Sequence, residues 1–341
     1  MLPFTNDAQV DLFAQQHPRS CKGAQFVVLS LYEAGIGSLI HKISYGMAVA
    51  HQLGRVLLIN ATAGSWFAKD EEYCGGVGNL ECFVLPLSNC TLDDLAGDAH
   101  KPFSCSMDGR QLAAARVVHL EDFGVHAVNN RVKGHVFNES ACVAGLHHKL
   151  VPDKWAVQLH GRLHTSPHYW WRAQTATYIL RFNEATRAFV VAARQYHYPN
   201  GFPPGTVSLH VRHGDKHSED KLVPFQRYLH AAEAVLASHP RVAGEPPLGG
   251  RSAFLSTESP LVTAEARLPQ AAAWTIRYLP VRRDNMPPAG RATIVGRATE
   301  FLQAVLQLVL AVECDAWVCT LSSNWCRLVD ELRGTWGGKH H

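Results

Sequence analysis

Apolar and polar positions along the first part of the chain predict a β-strand, a helix and a second β-strand. Residues 26–32 and 56–59 are short apolar runs typical of buried strands. Between them Leu39, Ile43 and Met47 recur every four residues, as on one face of a helix. The segment therefore predicts a βαβ unit whose first turn contains two glycines.

Strand-like and helix-like segments alternate after residue 205. Helices are predicted at 225–237, 259–268, 300–314 and 322–333, and strands at 206–211, 252–257, 274–279 and 316–321. Such alternation is typical of a parallel sheet covered by helices on both faces. Ligands of these sheets bind at the carboxyl ends of the strands, so the loops at those ends are candidate functional sites.

The middle of the chain is less regular. Residues 60–150 read as loops and short elements, residues 168–197 as helical, and the Pro- and Gly-rich segment 198–205 as the best domain boundary. We expect an N-terminal extension, an N-terminal α/β domain, a C-terminal Rossmann-like domain and a tail, at residues 1–20, 21–200, 201–335 and 336–341.

Composition narrows the function classes. The 341 residues are 47% hydrophobic and 18% charged, as in a globular protein, and the formal net charge of +3 without a Lys/Arg run argues against nucleic-acid binding. The 20 histidines are scattered and match no zinc-ligand spacing, so no metal site is expected. The sequence contains no stretch of 18 apolar residues, so no membrane span is expected.

The cysteines do not decide in which cellular compartment the protein works. Nine cysteines accompany three glycosylation sequons, at Asn60, Asn89 and Asn138, which favours the lumen of the secretory pathway. The first residues lack the pattern of a signal peptide. Composition alone allows either a cytosolic protein with free thiols or a fragment whose N-terminal anchor is missing.

Three loops at predicted strand ends could carry chemistry. The turn Gly35-Ile36-Gly37 opens a helix, where backbone amides suit a phosphate, although on these residues alone a plain tight turn is the favoured interpretation. Residues 210–216 (HVRHGDK) combine an arginine suited to a diphosphate with nearby carboxylates, or form a solvated charged loop. Residues 320–324 (TLSSN) provide either a helix cap or hydroxyls for a phosphate.

These loops resemble one known family. Residues 210–216 are similar to the His-Val-Arg-Arg-Thr-Asp-Lys motif of the α1,6-fucosyltransferases, and residues 314–327 to that family's segment around Cys-Thr-Phe-Ser-Ser. Residues 35–41 resemble its Gly-Tyr-Gly-Cys-Gln-Leu-His segment and residues 254–260 its Leu-Ala-Thr-Asp-Asp-Pro strand end. Trp171, Gln174, Tyr178 and Arg181 fit its Trp-Ser-Gln…Tyr…Arg helix. The matches keep the family's order over roughly residues 21–335.

The resemblance implies a fold, an activity and a set of site residues. The fold is GT-B-like, with two Rossmann-like α/β domains facing a nucleotide-sugar cleft, and the activity is metal-independent, inverting transfer of fucose from GDP-fucose to the 6-hydroxyl of GlcNAc in an N-glycan or chitooligosaccharide. Arg212 corresponds to the residue that stabilises the leaving β-phosphate. The other implied donor-site residues are Gly35, Ile36, Gly37, His41, His210, His213, Gln307, Ser322, Ser323 and Asn324.

Two residues are candidates for the base on the acceptor side of the implied site. Asp215 and Lys216 lie in the motif, and Lys216 would act on the acceptor together with a loop acid. The family's base lies four residues beyond the motif lysine, which gives Asp220, but Glu219 has the family's residue type and is favoured.

Three departures from the family pattern keep other functions open. His213 stands for the second motif arginine, Gln307 stands for an aspartate that contacts guanine, and the chain ends without the family's Src-homology-3 domain. A related glycosyltransferase with another donor or acceptor is one alternative, and a non-catalytic glycan- or nucleotide-binding homologue is the other.

The resemblance also implies a disulfide pattern and a location. It suggests Cys319–Cys326 and Cys21–Cys90; Cys74–Cys82 closes a plausible short loop, and Cys105–Cys142 completes four pairs, leaving Cys314 as a buried thiol. The family works in the Golgi lumen, so we expect a luminal catalytic region whose N-terminal anchor is missing from this chain.

Overall fold

The computed structural model describes residues 1–31, 34–60, 68, 70–75, 79–102, 109–120, 151–162, 166–213, 221–238, 251–279 and 296–336. These residues fall into two compact units, Met1–Asn183 and Glu184–His341. The Pro- and Gly-rich segment at 198–205 lies within the second unit. Among the described helices, none is long and apolar enough to cross a membrane.

The first unit contains a four-stranded parallel sheet. Its strands are β1 (Phe26–Ser30), β2 (Val56–Asn60), β3 (His100–Pro102) and β4 (Val117–Leu120), in the spatial order β2-β1-β4-β3. The predicted βαβ unit is confirmed. Strands β3 and β4 lie in the region predicted as loops and short elements, and β4 is hydrogen-bonded between β1 and β3.

The helices of the first unit are α1 (Thr5–Gln16), α2 (Ile36–Gln52), α3 (Glu71–Cys74), α4 (Gly109–Ala114), α5 (Asp153–Leu159) and α6 (Pro167–Ile179). Helix α2 packs on β1 and β2 and against α6. It approaches the sheet closely at Gly46, where an added Cβ would lie 2.9 Å from Cδ2 of Leu29 and 3.2 Å from Cδ1 of Leu57. A side chain at this position would require the buried side chain of Leu29 to shift.

The second unit contains another four-stranded parallel sheet. Its strands are β5 (Val207–His210), β6 (Arg251–Ser256), β7 (Trp274–Arg277) and β8 (Ala316–Cys319), in the order β7-β6-β5-β8. Its helices are α7 (Glu184–His197), α8 (Phe225–Ser238), α9 (Pro260–Glu265), α10 (Arg297–Glu313) and α11 (Asn324–Thr335). The predicted α/β class, with two units built on parallel sheets, is confirmed.

Helices cover both faces of this second sheet. Val207 and Leu209 of β5 pack with Phe225 and Leu229 of α8 in one apolar cluster. Successive side chains of a strand point to opposite faces, so Ser208 and His210 point away from that cluster. Helix α10 packs against β5 and β6, and Ser256 of β6 is hydrogen-bonded to Gln307 of α10. Both faces are therefore covered, as the sequence predicted.

Three predicted disulfides are confirmed. Cys21–Cys90, Cys74–Cys82 and Cys319–Cys326 are bonded. Cys314 keeps its thiol, is fully buried, and its Sγ lies 3.3 Å from the carbonyl oxygen of Leu310. The predicted pair Cys105–Cys142 lies outside the described residues.

Candidate functional site

The sheet of the second unit brings an arginine and a glutamate together at the carboxyl ends of neighbouring strands. Arg212 follows β5 and Glu258 follows β6, and Nη1 of Arg212 lies 2.7 Å from Oε1 of Glu258. The two side chains are 24% and 18% exposed, so the pair is largely shielded from solvent. The carboxylate therefore holds the guanidinium at the edge of the sheet where ligands of parallel sheets bind.

His210, the last residue of β5, is neutral at physiological pH. The residue is 8% exposed. Burial and, to a smaller extent, the positive charge of Arg212 lower the pKa of its imidazole to about 3, against an opposing effect of the Ser256 backbone. A neutral imidazole beside Arg212 can accept or donate a hydrogen bond without adding a second charge.

Replacing His210 by Gln should remove part of the acid sensitivity of folding. Because the pKa of His210 lies below its ordinary value of 6.5, only the unfolded chain takes up a proton as the pH falls below 6.5. Through this residue the wild type should lose about 2 kcal/mol of stability between pH 7 and pH 5, and more down to about pH 3. Urea unfolding of both proteins at the two pH values measures the difference. Identical pH dependence would contradict a buried, neutral His210.

Strand β8 brings a third group of polar side chains to the same sheet edge. The hydroxyl of Thr320 is hydrogen-bonded to the hydroxyl of Tyr228 on α8. Burial raises the pKa of Tyr228, the bond to Thr320 lowers it, and the negative charge of Glu258 raises it. Tyr228 therefore interacts with a group at each of two strand ends: electrostatically with Glu258, which follows β6, and by a hydrogen bond with Thr320, which follows β8.

The turn between β8 and α11 is closed by the Cys319–Cys326 disulfide. Ser323 takes the N-cap position with an extended backbone (φ −87°, ψ 128°), but its side chain makes no capping hydrogen bond within the described residues. It is buried, Ser322 is exposed and Asn324 is partly buried. The Ser323 hydroxyl is thus not committed to the cap, whereas Oδ1 of Asn324 accepts a hydrogen bond from Nη2 of Arg327 at 2.8 Å.

The two positions that depart from the family pattern have partners within the protein. Oε1 of Gln307 accepts a hydrogen bond from the Ser256 hydroxyl at 3.0 Å. Nε2 of His213 lies 2.8 Å from the carbonyl oxygen of Val223 and donates to it. Gln307 therefore lies at the carboxyl end of β6, and its amide nitrogen is the group with which it could meet a ligand.

In the first unit, the two-glycine turn forms the amino end of α2. Gly35 is the N-cap with φ −61° and ψ 150°, and its carbonyl accepts hydrogen bonds from the amides of Ser38 and Leu39 at 2.9 and 3.1 Å. Among the described residues, no heavy atom lies within 4 Å of a Cβ built on Gly35. The amides of Ile36 and Gly37 belong to the first turn, where a helix offers no acceptor, so the geometry suits an anion.

His41 lies one turn further along α2. Nη2 of Arg172 on α6 contacts both ring nitrogens of His41, at 2.5 Å from Nε2 and 2.9 Å from Nδ1. This contact from α6 holds the imidazole of His41 in position on α2. The remaining candidate residues, Asp215, Lys216, Glu219 and Asp220, lie outside the described residues.

Glu258 and Tyr228 were not among the site residues predicted from the sequence. Glu258 lies in a segment matched to the family, directly after a predicted strand, and its charge opposite to that of Arg212 was an available signal. Tyr228 gave no comparable signal, because its position in an amphipathic helix is equally typical of a core residue. Both residues reach the site because of the order in which the strands lie side by side in the sheet.

The fold and this cluster define the class of doubly wound α/β proteins that bind ligands at the carboxyl ends of their strands. A sequence model of the α-(1,6)-fucosyltransferase N-terminal and catalytic domains matches residues 4–339. The chain belongs to the α-(1,6)-fucosyltransferase family.

Named relatives agree with this assignment. The chain is 24% identical over 325 residues to an α-(1,6)-fucosyltransferase of Caenorhabditis elegans, covering 93% of this chain and 51% of the relative. It is 24% identical over 331 residues to that of Drosophila melanogaster, covering 94% and 45%. The chain therefore spans about half the length of the curated relatives it matches.

The chain is also similar to solved structures of fucosyltransferases. A variant of Arabidopsis thaliana FUT1 in complex with GDP gives a TM-score of 0.48 at 9% identity and covers 97% of this chain and 73% of that one. Fucosyltransferase NodZ from Bradyrhizobium gives 0.46 at 14% identity, covering 90% and 92%.

Proposed function

We propose that this protein transfers fucose from GDP-fucose to the 6-hydroxyl of a GlcNAc residue in an N-glycan or a chitooligosaccharide-like acceptor. The observation that carries the proposal is the Arg212–Glu258 pair at the carboxyl edge of the sheet, in a chain of this family. An arginine held in this way presents a fixed positive charge to a diphosphate.

Arg212 is the proposed catalytic residue on the donor side. Negative charge develops on the β-phosphate as the bond between that phosphate and C1 of fucose breaks, and a preorganised cation stabilises it. Glu258 is the proposed positioning residue for Arg212. The amides of Ile36 and Gly37 in the first unit are proposed to bind a phosphate, and the hydroxyl of Ser323 in the second unit is also proposed as a phosphate ligand; no metal is required for this chemistry.

The acceptor hydroxyl needs a base. We propose Glu219, with Asp220 as the alternative, to take the proton of the 6-hydroxyl as its oxygen attacks C1 of fucose. GDP leaves from the opposite face, so the configuration at C1 is inverted. Lys216 and Asp215 are proposed to assist at the acceptor side.

Gln307 favours a second candidate, a related glycosyltransferase with another nucleotide donor. An amide at this position can donate to a base but lacks the charge of a carboxylate that would pair with the N1–H and N2–H₂ edge of guanine. Its bond to Ser256 commits the Gln307 oxygen within the protein. Donor specificity is therefore the part of the proposal most in need of a direct test.

We expect GDP to bind more tightly than UDP or ADP, with and without EDTA, because the Gln307 amide would donate a hydrogen bond to guanine; the contact of the diphosphate with Arg212 is common to all three nucleotides. Isothermal titration calorimetry with the three nucleotides measures this. A preference for UDP or ADP would move the protein to another donor class. Incubation with GDP-fucose and a panel of N-glycans and chitooligosaccharides, with mass detection, then identifies the acceptor. GDP binding without any product would favour a non-catalytic homologue.

The disulfides support a location in the secretory pathway. Three bridges join six cysteines, and disulfides persist in oxidising compartments. We propose that the protein works in the Golgi or another secretory-pathway lumen.

A further inference from the structure

Strand β2 forms one edge of the sheet in the first unit, and its outer side is only partly paired. The N–H of Val56 donates to the carbonyl of Gln25 at 2.9 Å, towards the sheet interior. The N–H of Leu57 points outwards and donates to Oε1 of Gln16 at 3.1 Å. Backbone groups alternate along a strand, so the N–H and C=O of Ile59 also point outwards. Within the described residues, neither of these Ile59 groups has a hydrogen-bond partner.

A cavity of about 250 Å³ lies against this edge. Three successive residues of β2, Leu57, Leu58 and Ile59, line it. Because successive side chains point to opposite faces of a sheet, only a cavity at the edge can touch all three. Its other apolar lining residues include Val84 and Leu87.

The rim of the cavity is acidic. Glu81 and Asp93 are the charged residues among its described lining, and both are carboxylates. Burial raises the pKa of Glu81, against an opposing effect of the Asn79 side chain. A cation placed between the two carboxylates would relieve this desolvation cost.

Two disulfides brace the walls. Cys90, which lines the cavity, is bonded to Cys21, and Cys82, next to Glu81 in the chain, is bonded to Cys74. The cavity is therefore built on cross-linked backbone, which limits the rearrangement that binding would require.

We propose that the outer edge of β2 binds an extended polypeptide segment that pairs with the backbone of Ile59 and places a lysine or arginine side chain between Glu81 and Asp93. Strand addition uses the unpaired edge groups for main-chain hydrogen bonds and side-chain pockets for specificity. A lysine or arginine fits this cavity because its aliphatic stem packs on the apolar wall while its charged end reaches the rim.

Two labelled peptides test this proposal on the full chain. Fluorescein-Gly-Thr-Lys-Val-Lys-Thr-Gly-amide should bind more tightly than the same peptide with Glu in place of both Lys, measured by fluorescence anisotropy. Glu81→Gln and Asp93→Asn should each weaken binding of the basic peptide by roughly two- to fivefold. Glu72→Gln removes an exposed acid outside the cavity and should leave the affinity unchanged. GDP affinity should be unchanged in all three variants.

Hydrogen exchange tests the strand pairing itself. The Ile59 amide should exchange more slowly when the basic peptide is bound. Ile59→Pro removes the outward N–H but no hydrogen bond to β1, and should weaken binding by about tenfold. Absence of binding, equal binding of both peptides, an unchanged Ile59 amide, or an equal loss in Glu72→Gln would each overturn the proposal. Protection of Ile59 by a chitooligosaccharide and not by the peptide would assign the cavity to a sugar instead.

Discussion

Arg212→Ala is expected to lower kcat/KM for GDP-fucose by about 10²- to 10³-fold, the usual cost of removing a group that stabilises developing charge. The loss should appear in kcat as well as in nucleotide affinity, because the charge on the β-phosphate grows as the donor bond breaks. Glu258 would lose its partner in the variant, so part of the effect reflects an uncompensated carboxylate near the phosphate. Steady-state kinetics with varied GDP-fucose measures both parameters.

Arg251→Ala is the matched control for this experiment. Arg251 is the first residue of β6, at the opposite end of the same sheet, and pairs with Glu233 on α8. Its removal should leave kcat/KM unchanged. Arg212→Lys should recover only part of the activity, because an ammonium cannot reproduce the planar fork. Near wild-type turnover in Arg212→Ala, with the fold intact by circular dichroism, would refute the proposed mechanism.

Removing the Cys21–Cys90 bridge, by Cys21→Ala together with Cys90→Ala, should cost the first unit about 4 kcal/mol of stability. The bridge joins residues 69 positions apart, and the loss of chain entropy on cross-linking grows with the length of the closed loop. The bridge also ties the segment before β1 to the apolar cluster that contains Cys90 and Leu95. Native-state hydrogen exchange of the β1 amides reports the free energy of opening of this unit.

The Cys74–Cys82 bridge provides the comparison. It closes a separation of only 8 residues, so its removal by two alanines should cost about 2.5 kcal/mol on the same entropy scale. Cys74 and Cys90 are similarly buried, at 6% and 4% exposed, which keeps the packing loss comparable. An equal cost for the two bridges would show that strain or local packing, and not chain entropy, sets their contribution.

Regular patterns in the sequence predicted most of the fold. The apolar runs at β1 and β2 and the spacing of Leu39, Ile43 and Met47 predicted the βαβ unit. Strand β4 was not predicted because a four-residue run, VVHL, is too short to distinguish from a loop. Its place between β1 and β3 depends on pairing with residues far away in the chain.

Helix α1 was also not predicted as a helix, for a similar reason. Its polar sequence has only a narrow buried side, with Ala8 and Leu12 as its buried apolar residues. The segment therefore has little helical periodicity, and it was predicted only as an N-terminal extension. Tertiary contacts stabilise it: Gln9 donates to the carbonyl of Gln174 at 2.9 Å, and Gln16 accepts from Leu57.

The candidate site was predictable where a motif coincided with a strand end. Arg212 was placed at the end of β5 by the alternation and identified by the resemblance. Its partner Glu258 was not predicted, because two residues that follow different strands meet only when the strand order is known. Cysteine counts have the same weakness, since nine cysteines allow many pairings and the family pattern was needed to select Cys21–Cys90.

The bond between Gln16 and Leu57 also bears on self-association. An open strand edge is a template for pairing with another copy of the chain. Because the side chain of Gln16, the last residue of α1, accepts from the outward N–H of Leu57, that N–H is not available to another chain, and the outward groups of Ile59 lie beside a cavity lined by the carboxylates of Glu81 and Asp93. A second copy would bring two more carboxylates to that position. The fold thus discourages edge-to-edge aggregation while leaving room for one short, positively charged segment.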